Sequence, residues 1–359
     1  MKKLSKVLAL LLAISMCLSL AACSSGQTKD PAPAQTSSGT DNKGGATTST
    51  DGPTPEKPLV LKLGHMGNET NPLNTYTMRF KDRVEERTNG AIQIEVYGDR
   101  VLGADRELLE AIQMGTLDMA VTTTSPLTNF VPAYLTLDLP YLISDWDHCY
   151  AFFDSDIYDQ RLTEGDSVGL TVLSLAGRGF RHVTTNDRPI RNLNDIKGLK
   201  LRVIESSVYV DTFTAFGANP QAMSFGEVFT ALQQGTIDGH ENSYLVIQEE
   251  KVYEVQNTVS ETAHMFAFFD MVIGTKALAS LPEDMQEIIR TAALEAGLEE
   301  TQSEQATEND VKEFLKTKGV TIVEDVDVDQ FKGVVQPVYD KFAKEYDDTY
   351  LKEIQALVK

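Results

Sequence analysis

The chain has little positive charge for its length. Its 359 residues include 32 lysines and arginines against 53 aspartates and glutamates, which gives a net charge of −21 at neutral pH. Removal of three lysines with the leader described below takes the mature chain from −21 to −24. A nucleic-acid partner requires a basic surface that neutralises phosphates, so the composition argues against such a partner.

The chain also lacks the motifs of common enzymes and cofactor sites. It contains no G-x-S-x-G nucleophile elbow, phosphate-binding loop, dinucleotide-binding glycine fingerprint or H-E-x-x-H pair. Its five histidines have no metal-ligand spacing. We therefore expect neither an enzyme nor a bound metal or cofactor. Of these histidines, His65, at the end of the first predicted strand, is a candidate to face a ligand.

Residues 1–22 have the organisation of an export signal. Three lysines precede an apolar run from Val7 to Leu20, which is too short to span a bilayer as a stable helix. The run ends in Leu-Ala-Ala-Cys23, which resembles the lipobox of bacterial lipoproteins. This resemblance implies cleavage before Cys23 and a lipid on its thiol, and two acyl chains suffice for stable anchoring. The alternative is a plain signal peptide with a chance cysteine.

Residues 23–58 are predicted to be the lipidated cysteine and a disordered tether. They are almost entirely small and polar, so they cannot bury enough surface to offset the entropy of folding. As a flexible coil the tether would span roughly 30 to 35 Å. The folded part is then 59–359, and its one cysteine, Cys149, has no disulfide partner and is expected to be buried.

One segment of the folded part occurs twice. Residues 107–118 are ELLEAIQMGTLD and residues 227–238 are EVFTALQQGTID, with Glu, Ala, Gln, Gly, Thr and Asp at the same places. Each copy has the pattern of a helix that ends at a glycine with a left-handed backbone. The offset of 120 positions is too long for a solenoid repeat and suits two similar lobes. Two similar lobes imply a cleft between them, and clefts bind ligands.

The order of the predicted elements supports an α/β fold with two lobes. The alternating and helical patterns predict strand, helix, strand, helix, strand up to Thr123, and a similar order from Leu199 onward. We expect lobe 1 at about 59–178 with a returning segment near 263–276, and lobe 2 at about 179–262. Several crossings between lobes would form a hinge.

A long helix is predicted near the end of the chain. Ser280 and Glu283 fit a capping box, as Ser224 and Glu227 do for the second repeat helix, and the helical pattern then continues to about Lys318. Such a helix would be on the order of 50 Å long, which exceeds the width of one lobe. We therefore expect the C-terminal helices, 280–359, to brace both lobes.

Two arginines and an asparagine are candidates for binding an anion. Arg202 lies in the apolar strand LKLRV, and a buried arginine needs an anionic partner. Its forked guanidinium suits a carboxylate of a ligand, and an internal salt bridge is the equal alternative. Arg181 follows another strand and has the same two interpretations, whereas Asn242, just after the second repeat, is either a turn residue or a donor to the same anion.

A series of segments in one order carries a family resemblance. They include GHMGNETNPLN, LGADRELLEAIQMGTLDMAV, NFVPAYLTLDLPYL, GFRHVTTNDRPI, IKGLKLRV, ANPQAMSFGEVFTALQQGTIDGHEN and SLPEDMQEIIR. Together they resemble the extracytoplasmic solute receptors of tripartite ATP-independent periplasmic (TRAP) transporters, of the dicarboxylate-binding DctP type. The resemblance covers nearly all of 59–359. It implies a two-lobed periplasmic binding protein fold of type II-like architecture, with a ligand cleft between lobes and a long helix across both.

The resemblance also implies site residues and a ligand class. Arg202 matches the arginine that clamps the ligand carboxylate, and Asn242 and Arg181 match two further binding positions. First-lobe candidates for ligand hydroxyls or a second acidic group are Glu69, Asn71 and Arg106, and the ring of Phe225 is a candidate for the apolar face of the ligand. A hexuronate or similar sugar acid fits such a pocket, whereas a C4-dicarboxylate would need a second cationic site.

The expected function is capture of a small organic acid for the membrane subunits of a TRAP transporter, by a monomer held on the extracytoplasmic face by its lipid. Two alternatives share the same shape: a receptor of an ABC transporter, and a sensory lipoprotein that signals occupancy. An extracellular enzyme is the weakest alternative, since no nucleophile and base pair is present.

Overall fold

The computed structural model describes residues 52–357. The predicted signal peptide, Cys23 and most of the predicted tether lie outside the described residues. Within 52–357, none of the helices combines the length and the apolar character that crossing a bilayer requires. The first strand begins at Leu59, and an isolated β-bridge between Thr54 and Lys57 precedes it, within the end of the predicted tether.

The strands of the described part are β1 (Leu59–His65), β2 (Ile92–Tyr97), β3 (Met119–Thr123), β4 (Leu170–Thr185), β5 (Lys200–Val203), β6 (Asn219–Ala222), β7 (Gly239–Asn242), β8 (Thr258–Gly274) and β9 (Thr321–Val323). The α-helices are α1 (Pro72–Arg87), α2 (Asp105–Met114), α3 (Thr124–Leu127), α4 (Trp146–Phe153), α5 (Asp156–Leu162), α6 (Leu193–Ile196), α7 (Ser207–Ala215), α8 (Val228–Gln233), α9 (Tyr244–Glu249), α10 (Thr275–Ala279), α11 (Glu283–Thr317), α12 (Val328–Lys332), α13 (Gln336–Glu345) and α14 (Thr349–Ala356).

The strands form one mixed sheet with two halves of equal topology. The order is β2-β1-β3-β8-β4-β7-β5-β6, with β9 beside β8. In the first half β1 lies parallel to β2 and β3, and in the second half β5 lies parallel to β6 and β7. The long strands β4 and β8 run antiparallel between the halves. Each half of the sheet is therefore a β-α-β-α-β unit, and the two shared strands join the units.

The aspartate of each repeat copy forms a hydrogen bond to the central strand of its own half of the sheet. The Oδ2 atom of Asp118 accepts a hydrogen bond of 2.8 Å from the backbone amide of Lys62 on β1. Asp238 accepts an equal bond of 2.8 Å from the amide of Lys200 on β5. A carboxylate that accepts from a backbone amide makes a charge-assisted bond. The two aspartates therefore hold the end of each repeat segment against the central strand in the same way in both halves of the sheet.

The glycine and threonine of each copy end the repeat helix. Gly115 and Gly235 have φ of +71° and +68°, a left-handed backbone that glycine adopts without strain. The hydroxyls of Thr116 and Thr236 donate to the carbonyls five residues earlier at 3.1 Å. The glycine, threonine and aspartate shared by the two copies thus end a helix and direct the chain into the next strand.

The long helix predicted at the C-terminus is α11, and side chains bind it to both halves of the molecule. Near its middle, glutamates pair with arginines of α1; these pairs are Arg79 with Glu299 and Glu300, Arg83 with Glu295 and Glu299, and Arg87 with Glu295. Toward its end, Lys312 contacts Glu261 at 2.6 Å and Glu324 at 3.0 Å. Each exposed pair contributes little alone, but the network fixes α11 along the sheet.

Both predicted capping boxes are wrong. The Ser224 side chain does not cap a helix, because a 3-10 turn over Phe225–Glu227 comes first and α8 begins only at Val228. Ser280 lies at the end of the short helix α10 and donates to a carbonyl of that helix, so Pro282 rather than a serine precedes α11. The sequence signal for a cap did not distinguish the start of one helix from the end of another.

The predicted returning segment near 263–276 differs in extent from the strand that contains it. That strand, β8, begins at Thr258 and ends at Gly274. The pattern underestimates the strand because polar residues interrupt its apolar run near its start. In the connection between the halves, residues 146–162 form two helices, because the Ser155 side chain accepts from the amide of Tyr158 and starts α5 anew.

Candidate functional site

A cleft lies between the two halves of the sheet and encloses about 600 Å³, including the part open to solvent. Its walls come from the first half, from strand β4 and from the second half. The lining residues are Met66, Asn71, Leu73, Ala104, Asp105, Arg106, Thr123, Pro126, Arg178, Arg181, Arg202, Ile204, Glu205, Ser224, Phe225, Asn242, Val246 and Glu250.

Arg202 is a buried cation without an anionic partner. It is 3% exposed, and among the described residues no carboxylate lies within 4.0 Å of its guanidinium. Its Nε donates to the carbonyl of Met223 at 2.9 Å, and its Cζ lies 5.4 Å from the ring centroid of Phe225. Burial lowers the pKa of Arg202 to about 10, although nearby Glu241 opposes this shift. The terminal nitrogens are therefore free to bind an anion in the cleft.

Arg181 has an internal partner. Its guanidinium forms a forked ion pair with the buried carboxylate of Glu241, in which Nη2 and Oε1 are 2.9 Å apart. Nη1 also donates to Oδ1 of Asn242 at 2.9 Å. Burial alone would raise the pKa of Glu241, but Arg181 and then His264 lower it to about 2. Of the two interpretations from the sequence, the salt bridge describes Arg181, which still borders the cleft.

Asn242 lies at the end of β7 and faces the same cleft. Its Oδ1 accepts from Arg181 and from the amide of Ser243 at 3.0 Å. None of the described residues accepts from its Nδ2, which is consequently a donor available to a ligand. The Arg181–Glu241 pair thus fixes which end of the Asn242 amide is free.

Sequence reasoning missed Arg178. It lies on β4, is 8% exposed and lines the cleft beside Arg181. Its Nη1 donates to Oγ1 of Thr123 at 3.1 Å, and its Cζ lies 4.4 Å from the ring centroid of Phe269. Burial and then the neighbouring Arg181 lower the pKa of Arg178 to about 10. The Gly-Arg-Gly triplet inside a strand is the signal that could have indicated it, because such glycines mark bulges.

The first-lobe candidates divide into two groups. Asn71 and Arg106 line the cleft, and so does Phe225 of the second half. Glu69 and His65 do not: Glu69 is exposed, and the buried ring of His65 lies against Gly98 and Gly67. Burial lowers the pKa of His65 to about 4.

Acidic residues of the wall were also missed. Asp105 is buried and starts α2; its Oδ2 accepts from the amide of Thr123 at 3.2 Å, and its Oδ1 has no partner in the described structure. Burial raises the pKa of Asp105 to about 6. Glu205 and Glu250 also line the cleft, and Glu250 pairs with Arg100 at 3.2 Å. No periodic pattern or residue spacing in the sequence indicates that these acidic residues line a site.

The cleft differs in charge from the rest of the chain. Its lining includes four arginines and three acidic residues, whereas the whole chain carries −21. Over the Debye length of about 8 Å at physiological salt, local charges dominate the distant surface. The site therefore favours one negative charge. Within the described residues there is no cluster of histidine, cysteine, aspartate and glutamate that could hold a metal.

Contacts across the mouth of the cleft join the two halves. The hydroxyl of Thr70 donates to Glu249 at 3.0 Å, and Arg100 pairs with Glu250. Asn129 donates to the carbonyl of Glu205 at 2.8 Å. These bonds hold the halves close together around the cavity.

Comparisons with a family model and with individual proteins identify the same kind of protein. The model of the family "Bacterial extracellular solute-binding protein, family 7", DctP, matches residues 63–345. A solute-binding protein of Verminephrobacter eiseniae is 34% identical over 278 residues, which are 77% of this chain and 83% of that protein.

Two solved structures are similar over most of the chain. One is a TRAP periplasmic solute-binding protein from Polaromonas sp. bound to D-erythronate, with a TM-score of 0.79, 34% identity, and coverage of 84% of this chain and 99% of that chain. The other is a TRAP periplasmic solute-binding protein from Chromohalobacter salexigens with bound D-glucuronate, with a TM-score of 0.79, 29% identity, and coverage of 83% and 99%.

Proposed function

This chain belongs to family 7 of the bacterial extracellular solute-binding proteins, the DctP family of TRAP receptors, and we propose that it captures a sugar acid such as a hexuronate for the membrane subunits of a TRAP transporter. The predicted family and the two-lobed periplasmic binding fold are confirmed. The family consists of extracytoplasmic solute receptors and is not an enzyme class.

The proposal depends on Arg202 above all. A guanidinium that is buried without a carboxylate partner is costly in the empty protein, and a ligand carboxylate removes that cost. The forked donors of arginine match the two carboxylate oxygens. Asn242 supplies a further donor through its Nδ2, while Arg181 acts mainly by holding Glu241 and Asn242 in place.

A sugar acid suits the remaining polar groups of the cleft. D-Erythronate and D-glucuronate, the ligands of two related proteins, each carry one carboxylate and several hydroxyls. Asn71 and Arg106 on the first-lobe wall provide hydrogen-bonding groups for hydroxyls. The ring of Phe225 offers an apolar surface at the cleft, next to the guanidinium of Arg202.

Capture requires the lobes to separate and close. In this proposal lobe 1 comprises about 59–178 with the segment near 263–276, lobe 2 comprises about 179–262, and the helices of 280–359 brace both. The crossing strands β4 and β8 then form the hinge. Closure is favoured only by contacts of the closed state, such as Thr70 with Glu249 and the bonds of a ligand that touches both lobes.

A thermal-shift screen of the purified domain tests this function. We expect D-glucuronate or an aldonate such as D-erythronate to raise the melting temperature, because a ligand at 100 times its Kd adds about 2.7 kcal/mol to stability. D-Glucose, which has the hydroxyls of glucuronate but no carboxylate, is the matched control and should cause no shift. An equal shift with glucose, or no shift with any sugar acid, contradicts the proposal.

The receptor is further proposed to be anchored to the membrane by a lipid on Cys23, which lies outside the described residues. The lipobox-like end of the leader supports this. In cells fed an alkyne analogue of palmitate, the wild-type chain should be labelled and Cys23→Ser should not. The control Cys149→Ser should be labelled like the wild type, because Cys149 is buried in the folded part. Label on Cys23→Ser would refute the anchor.

A further inference from the structure

We propose that Arg178 and Asp105 form a second subsite, which binds a hydroxyl of the ligand and makes the receptor prefer hydroxy-monocarboxylates over dicarboxylates. The inference rests on the proposed function, since it assigns a role within the same cleft. It concerns two side chains that the internal salt bridges of the protein leave free.

The backbone of β4 is built to turn Arg178 out of the sheet. In the pairing of β4 with β8, Gly177 lies opposite Phe268 and Gly179 lies opposite Ala267, so Arg178 is an extra residue without a partner. Gly179 has φ of +80°, which a residue with a side chain rarely adopts. A bulge of this kind redirects a side chain, and bulges are enriched next to functional sites.

The redirected guanidinium keeps unused donors at the cleft. Arg178 donates from Nη1 to Thr123, and its Nε has no hydrogen-bond partner. Within residues 52–357, no carboxylate lies within ion-pair distance of it. The ring of Phe269 lies beneath the group at 4.4 Å and holds its plane by a cation–π contact. A buried guanidinium in this state requires acceptors from a ligand.

Asp105 supplies the complementary acceptor from the first lobe. Thr123 connects the two residues, because its amide donates to Asp105 and its hydroxyl accepts from Arg178. Both side chains line the same cavity, and Oδ1 of Asp105 is unpartnered. A hydroxyl both donates and accepts, so one hydroxyl can donate to Asp105 while it accepts from Arg178. A carboxylate can only accept and would leave Asp105 unsatisfied.

Charge gives the subsite its selectivity. Arg181 is neutralised by Glu241, and the positive charge of Arg178 is offset by the nearby carboxyl group of Asp105. Arg202 then retains a charge that no carboxylate of the described residues pairs within 4.0 Å. A second carboxylate at the subsite would meet Asp105, and repulsion of this kind is a common source of specificity. The cleft thus matches one carboxylate and one hydroxyl at a fixed separation.

Calorimetric titration with matched acids tests the inference. D-Erythronate and meso-tartrate differ in one terminal group, hydroxymethyl against carboxylate, and D-gluconate and D-glucarate differ in the same way. We expect wild type to bind the monocarboxylate of a pair at least tenfold more tightly. Arg178→Met, which keeps the stem over Phe269, should weaken monocarboxylate binding by about ten- to a hundredfold. Asp105→Asn, which keeps an acceptor for Thr123, should weaken it and also reduce or reverse the preference.

The results separate failure of the inference from failure of the proposed function. If wild type binds sugar acids and Arg202→Met abolishes binding, but Arg178→Met and Asp105→Asn change neither affinity nor preference, the second subsite is wrong and the function stands. A wild type that prefers meso-tartrate or D-glucarate likewise overturns the inference. If wild type binds none of the acids, both fail. The two variants alter different elements, β4 and α2, so a folding defect in one leaves the other decisive.

Discussion

Replacement of Arg202 by methionine is expected to weaken binding of the ligand carboxylate by roughly 150-fold or more. Loss of one partner from a desolvated, hydrogen-bonded charge pair costs about 3 kcal/mol or more, which corresponds to that factor. Methionine retains the unbranched stem that packs near Phe225, so the loss isolates the guanidinium. Calorimetry with D-glucuronate measures the change.

The same variant should not be destabilised when empty. Arg202 is a buried cation whose charged form is disfavoured by desolvation, as its lowered pKa shows, and the described residues offer it no carboxylate. Removing it relieves that cost. The melting temperature of unliganded Arg202→Met should therefore equal or exceed that of wild type, while affinity collapses.

Arg202→Lys is the control variant that keeps the positive charge but lacks the forked donors of a guanidinium. Lysine offers a point charge that cannot bind both carboxylate oxygens in one plane, so it should restore only part of the affinity. Full affinity in the lysine variant would show that net charge suffices. Unchanged affinity in the methionine variant would show that the carboxylate binds elsewhere in the cleft.

The fold could be predicted because its signals are local. The two repeat copies keep the glycine, threonine and aspartate that end a helix and bond to a strand, and Asp118 and Asp238 make the same bond in each half. The length of α11 follows from an uninterrupted helical pattern. What could not be predicted is the pairing of β4 with β8, which brings together residues about 90 positions apart.

A site residue was predictable only where its own sequence context was enough to indicate its role. A lone arginine in an apolar strand indicates a buried cation, and Arg202 is one. Whether such a cation has an internal partner depends on the neighbouring strand, so Arg181 could not be distinguished from Arg202 until β7 placed Glu241 beside it. Arg178 was missed because the bulge that turns it to the cleft is a property of the strand pair.

The largest expected effect on stability comes from Glu241→Gln. Glu241 and Arg181 are both fully buried and are joined by two hydrogen bonds between their side chains, and Nε2 of His264 donates to the same carboxylate at 3.2 Å. Breaking a buried pair by removing one charge leaves the other uncompensated, which costs about 3 to 5 kcal/mol. Urea unfolding at neutral pH should show this loss. A loss below about 1 kcal/mol would mean that Arg181 finds another partner.

The pH dependence of the stability difference between wild type and Glu241→Gln shows whether the charge of Glu241 causes that difference. The pKa of Glu241 is lowered from 4.5 to about 2 in the folded state, so its ionised form stabilises the fold above about pH 4.5, and this contribution is lost as the pH falls toward 2. Buried acids such as Asp270, whose pKa is raised to about 8 by burial, act in the opposite direction in both proteins and cancel in the comparison. The stability gap between wild type and Glu241→Gln should therefore narrow from pH 4.5 downward. A gap that stays constant over this range would assign the loss to packing, and Arg181 would then owe its position to shape rather than to its ion pair.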